Sequence, residues 1–116
     1  MSEPRMSAET LRVLGAMLED PLAWHYGLGL SEEAKISSGT IYPILARLEK
    51  ADWLESRWEE NGPAESEGRP KRRLYRLTGE GERRAMTELE EIARVARRVK
   101  SKRARRGRPE EGIARP

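Results

Sequence analysis

Gly39-Thr40-Ile41-Tyr42-Pro43-Ile44-Leu45-Ala46-Arg47-Leu48-Glu49 is the stretch on which the fold turns. Ile41, Ile44, Leu45 and Leu48 recur at helical spacing, so on a helix they share one face and point to one core. Ser38, Thr40, Tyr42, Pro43 and Arg47 are left facing outward. Ser37 and Ser38 stand at the start, where serine oxygens accept hydrogen bonds from the unpaired N–H groups of a first turn. A helix that begins with small and hydroxyl residues can approach DNA closely, and its free N–H groups and dipole favour phosphate. The helix is expected to end near Ala51-Asp52.

The residues that follow sharpen this reading. Leu54 to Glu60 alternates, with Leu54, Ser56 and Trp58 on one face and Glu55, Arg57 and Glu59 on the other. Asn61-Gly62-Pro63 is a turn signal, and a polar run then ends in Gly68-Arg69-Pro70-Lys71-Arg72-Arg73. Leu74-Tyr75-Arg76-Leu77 again reads as strand. Helix, strand, basic loop, strand is the order of a helix-turn-helix with a wing.

Upstream, Ser7 is placed to cap a helix from about Ala8 to Leu18, striped by Leu11, Leu14 and Leu18 with Val13 and Met17 beside them. Asp20-Pro21 ends it, because proline disfavours helix in the residue before it. A second helix is expected over Trp24–Ala34, although Gly27 and Gly29 each cost about 1 kcal/mol relative to alanine inside a helix.

Ser38-Gly39-Thr40-Ile41-Tyr42-Pro43, then Leu48-Glu49, then Gly68-Arg69-Pro70 leading to Tyr75-Arg76-Leu77-Thr78 closely resemble the PadR-like family of winged-helix transcriptional regulators. The likeness runs from about Leu11 to Ala85. It implies a mainly α fold with a small β-hairpin: a winged helix-turn-helix with a C-terminal dimerisation helix. The domains expected are a DNA-binding domain at 7–78, a dimerisation helix at 79–100 and a basic tail at 101–116. The resemblance places Ser38, Gly39, Thr40, Tyr42 and Pro43 where the family's recognition helix enters the major groove. Family members commonly carry glycine where Asp52 stands, and Asp tolerates a left-handed helix end less well.

Contacts to duplex DNA are therefore expected from Ser37, Ser38, Gly39, Thr40, Tyr42, Pro43 and Arg47, and from the wing residues Arg69, Lys71, Arg72 and Arg73. Arg47 either meets a flanking phosphate or pairs with a neighbouring carboxylate. Arg69 before Pro70 is the expected groove-inserting side chain, with the acidic half of the wing held away.

Thr78 is the natural N-cap of a last helix. Ala85, Leu89, Ile92, Ala96 and Val99 form a narrow seam along it, of coiled-coil type. Folding back onto its own domain and pairing with a second copy are both open to it. The resemblance favours pairing, since members generally dimerise through their C-terminal helices. A two-fold dimer would set two recognition helices roughly 34–36 Å apart and call for a palindromic operator. Repression is the family's usual mode.

With 116 residues, 36% hydrophobic and 37% charged, the chain suits one small domain with a limited core. Eight of its 23 bases and none of its 20 acids fall in Arg97–Arg108, which leaves the rest at a net of −5. DNA affinity then depends on where the bases sit. The basic run is either a solvated helix end or a sequence-independent phosphate contact. From Gly107 on, no apolar periodicity remains and disorder is expected.

The absence of cysteine excludes disulfides and thiolate metal sites. A lone histidine, His25, supports neither a metal site nor a catalytic base. With no nucleophile–base pair and no phosphate-cradling glycine loop, neither an enzyme nor a cofactor is expected. No apolar run reaches membrane-spanning length and no signal-peptide pattern opens the chain, so a cytoplasmic location is expected. Trp24, Trp53 and Trp58 read as core or near-core residues. Some relatives hold flat aromatic effectors between protomers, and a tryptophan could line such a site here.

Two rival readings stand beside the regulator. A protein-interaction module would exploit the acidic body and acidic half-wing, and would show no salt-dependent DNA binding. A non-specific architectural binder would depend on the basic tail, and deleting Lys100–Pro116 would abolish its binding.

Overall fold

The computed structural model describes residues 3–60 and 66–114, with the backbone alone from 107. The turn expected at Asn61-Gly62-Pro63 lies outside the described residues. The chain divides into two units, Met1–Met86 and Thr87–Pro116.

The first unit is assembled around the helix that the periodicity predicts. The elements are α1 (Ala8–Leu18), β1 (His25–Tyr26), α2 (Gly27–Ala34), α3 (Ser38–Lys50), β2 (Leu54–Trp58), β3 (Arg73–Leu77) and α4 (Gly79–Ala114). Ile41, Ile44, Leu45 and Leu48 of α3 are all buried. They join Val13, Leu14, Met17, Leu30, Trp53, Leu54 and Leu77 in one core. Each such side chain contributes on the order of 1.5–3 kcal/mol through burial. On α1 the core face is centred on Val13, Leu14 and Met17, whereas Leu11 and Leu18 are half-buried.

Local chemistry sets the ends of the helices. Ser7 Oγ accepts from the Thr10 N–H at 3.1 Å and caps α1. At the end of α3, Asp52 takes a left-handed φ of 66°. Its N–H reaches the Glu49 carbonyl at 3.0 Å, and the Trp53 N–H reaches the Leu48 carbonyl at 2.9 Å. This double bond pattern is a Schellman closure, built here without the glycine it favours. Thr78 caps α4 as expected: its Oγ1 accepts from the Gly81 N–H at 2.9 Å and donates to the Asp52 carbonyl at 2.7 Å.

Three expectations are corrected in this unit. The second helix begins at Gly27, not Trp24, and His25–Tyr26 is a strand. The small hairpin is therefore a three-stranded antiparallel sheet in the order β1-β3-β2, with His25 opposite Tyr75 and Leu54 opposite Leu77. Aromatic residues suit a short strand, and here they cover the open edge of β3. Gly27 becomes the first helical residue, where no interior penalty applies. Near the N-terminus, Met6 packs against the core and Glu3 pairs with Arg84. Ala85, the first position of the expected dimer seam, is fully buried in this core and is not available to a partner.

The second unit is helical through Ala114. Every side chain from Glu90 to Arg106 is exposed. Of the remaining seam positions, Leu89 is half-buried and Ile92, Ala96 and Val99 are exposed, together with Val95. The helical backbone of α4 runs on past Gly107, where the sequence shows no apolar periodicity. Arginine, lysine and alanine fill the preceding turns and are strong helix formers, so local propensity carries the helix past its last apolar position.

Candidate nucleic-acid interface

The first turn of α3 is laid open. Ser37 stands at its N-cap, but its hydroxyl does not cap: it donates to Thr40 Oγ1 at 3.1 Å. Only the Ser37 carbonyl engages the turn, accepting from the Thr40 and Ile41 N–H groups at 3.0 Å each. The capping expected from the serine side chains is thus replaced by a hydroxyl–hydroxyl bond, since Ser37 Oγ turns toward Thr40. Ser37, Ser38, Gly39, Thr40, Tyr42, Pro43 and Arg47 are all exposed. Arg47 has no ion-pair partner among the described residues.

Glycines explain how the turn is seated. A Cβ on Gly27 would fall 2.5 Å from the Tyr42 ring, and one on Gly29 would meet the Tyr26 ring at 3.3 Å. The absence of a side chain at both positions lets the tyrosines pack closely. Gly39 differs, because a Cβ there would meet nothing within 4 Å. The fold itself does not need glycine at that exposed helical position.

The wing is organised by one carboxylate. Glu59 Oε1 and Oε2 accept from Arg69 Nη1 and Nη2 at 2.7 and 2.9 Å, and Oε1 also accepts from the Arg72 N–H at 3.2 Å. Arg69 Nε further donates to Glu67 at 2.6 Å. The hydrogen bond from Arg69, with that from the Arg72 backbone, holds the Glu59 carboxyl at about 2, below its ordinary 4.5. Arg69, expected to insert into a groove, is instead held between two acids with 19% of its side chain exposed. Glu59 and Glu67 of the acidic half are not held away; they bind the wing's own arginine.

The other wing cations have separate duties. Arg72 lies over the Tyr26 ring, 4.1 Å from its centre. Arg73 donates to Ser56 Oγ at 2.9 Å and lies 5.0 Å from the Trp58 ring. Ser56 in turn donates to Glu49, so Arg73, Ser56 and Glu49 link both strands to α3. Burial, with Glu49 nearby, pushes the Tyr75 phenol above its ordinary 10.0. Lys71 is exposed and has no partner among the described residues.

These parts meet in one cleft of about 350 Å³, lined by Tyr26, Gly27, Leu28, Tyr42 and residues 69–73. The expected α3 and wing residues thus converge at Tyr42 and the basic loop. Two site residues lie outside the set expected from the sequence: Tyr26, which supports Arg72, and Glu59, which shapes the loop. Glu59 does carry a signal, because it is the last alternating position before the turn. Trp58, expected in or near the core, is 61% exposed, being the final residue of β2, beyond the reach of the helices. Trp53 is buried, and Trp24 lies under the guanidinium groups of Arg57 and Arg76 at 4.4 and 4.3 Å.

A three-helix domain with a β wing, an exposed polar first turn on the third helix and a cationic cleft between them define a winged helix-turn-helix DNA-binding regulator. Residues 26–88 match the transcriptional regulator PadR-like family, and the chain belongs to it. This is a family of transcription regulators, not of enzymes. The fold is similar to that of a PadR family transcription regulator from Clostridium difficile R20291, with a TM-score of 0.68 and 18% identity over 82% of this chain and 97% of that one. A PadR-like transcriptional regulator from Bacillus cereus is similar at a TM-score of 0.63 and 22% identity, over 79% of this chain and 87% of the other. The PcaV transcriptional regulator from Streptomyces coelicolor, solved with its natural ligand, is similar at 0.65 and 23% identity, over 97% and 77%. No curated protein sequence matches the chain. No helix among the described residues is long and apolar enough to cross a membrane.

Proposed function

We propose that the chain is a homodimeric repressor that binds a palindromic operator in the cytoplasm. Gly39 is the observation that carries this reading. An exposed glycine at an ordinary helical φ costs about 0.4–1 kcal/mol relative to alanine, chiefly through the freedom of the unfolded chain. Nothing among the described residues approaches Gly39 closely enough to require it. Close approach of a DNA backbone or base edge to the open first turn supplies the missing reason. In this reading Ser38, Thr40 and Tyr42 enter the major groove while Lys71 and Arg72 meet phosphates beside it. Arg69 does not read DNA; with Glu59 it shapes the loop that presents them.

Dimerisation is supported by the apolar row Ile92, Val95 and Val99 on the terminal helix, each 45–50% exposed. A polar solvent gives no reason to keep three such residues on a helix otherwise rich in charge. Two copies joined there would set the half-site spacing. A flat aromatic effector could change the angle between protomers and so the fit to both half-sites.

The test is the double variant Thr40→Ala/Tyr42→Ala, measured by competition between a selected operator and random duplex. Retained binding with a lost preference supports the reading. An unchanged preference contradicts it.

A further inference from the structure

We infer that the terminal helix carries a second, sequence-independent nucleic-acid surface, centred on Arg98, Lys102, Arg105 and Arg106. Successive steps of four and three along α4 bring these residues onto one side of the helix. All four are exposed and have no ion-pair partner among the described residues. Lys102, Arg105 and Arg106 alone line one shallow hollow of about 320 Å³. The last acid before them is Glu91, which pairs with Arg94, and no acid lies between Arg94 and Arg108.

The chemistry of the stripe selects its partner. Like charges at helical spacing repel one another, so this surface is at its most favourable against a polyanion. Arginine outnumbers lysine in it, and the planar guanidinium fork fits phosphate oxygens in pairs. A membrane surface fits less well. A lipid-binding helix needs an apolar face to bury, and after Val99 the helix offers only Ala104 before Gly107. A duplex needs no such face, since its phosphates take up charge along the whole backbone. The inference adds a second contact to the proposed DNA-binding function, but its support is confined to this helix and does not depend on operator recognition.

The experiment compares the full chain with the variant Arg98→Gln/Lys102→Gln/Arg105→Gln/Arg106→Gln, because glutamine keeps helix propensity. Affinity for a random-sequence duplex is titrated against salt, and helix content is read by circular dichroism. The expected result is a salt slope lower by roughly 3–4, about 0.9 for each phosphate no longer neutralised, with helix content and operator preference unchanged. An unchanged slope with the helix intact overturns the inference and leaves the operator reading standing. A lowered slope in a chain that shows no operator preference supports the inference and removes the proposed function instead. Tighter binding of the parent to phosphatidylserine vesicles than to duplex also overturns it. Were the fourfold variant to lose helix, the single variants Arg98→Gln and Arg105→Gln carry the test, each expected to lower the slope by about 0.9.

Discussion

Arg69 and Glu59 are locked together, both terminal nitrogens of the guanidinium on both carboxylate oxygens, at 2.7 and 2.9 Å. The same carboxylate accepts from the backbone of Arg72, so one acid fastens the basic loop at two points. Its partners hold Glu59 at about 2, against an ordinary 4.5. Because the folded value is depressed, the stabilisation is complete above about pH 4.5 and is lost as pH falls from there toward 2. Glu59→Gln is therefore expected to melt below the parent at pH 7 and to converge with it near pH 2. Thermal melts across that range check this, and a constant gap between the two would show that the carboxylate does not fasten the wing.

Gly39 and Gly15 both sit on helices, and a Cβ added at either would meet nothing within 4 Å. Replacing either by alanine is expected to stabilise the fold by about 0.5–1 kcal/mol. Their effects on DNA should differ. Gly39→Ala places a methyl group on the proposed docking surface and is expected to weaken operator binding about tenfold or more, whereas Gly15→Ala leaves it unchanged. Denaturant melts and operator titrations on both variants make the comparison.

Gly81 is held by the fold alone. A Cβ there would lie 1.9 Å from the Trp53 carbonyl oxygen, which is backbone and cannot swing aside. Gly81→Ala is expected to cost about 3 kcal/mol or to prevent folding, a case of overpacking at a close approach. Urea denaturation reads it directly, and a loss under about 1 kcal/mol would mean that α4 can shift off the end of α3 with little strain.

The proposed dimer rests on side chains that the winged domain does not use. Ile92→Glu changes a 45%-exposed residue and should leave the stability of the winged domain intact while shifting the chain to monomer. Sedimentation equilibrium would show the shift. A dimer of unchanged affinity would place the interface elsewhere.

Much of this fold was legible because its signals are local. Ile41, Ile44, Leu45 and Leu48 declare α3 by spacing, Ser7 and Thr78 declare their caps, and Leu54 to Trp58 declares a strand by alternation. What escaped depends on tertiary partners. His25–Tyr26 is too short to show a period and becomes a strand only because β3 offers an edge. Ala85 fits the helical seam by spacing, yet it is buried because the first turns of α4 close the core. In the site, the exposed residues of α3 were readable, but the fate of Arg69 was not. Glu59 lies ten positions away, and only the folded wing brings the two together.

Selection of the purified full chain against a randomised duplex pool at near-physiological salt, with sequencing of the retained DNA, tests the central claim most directly. The account predicts an inverted repeat whose half-sites lie about one helical turn apart. Retention without any motif, or no retention at all, would contradict it.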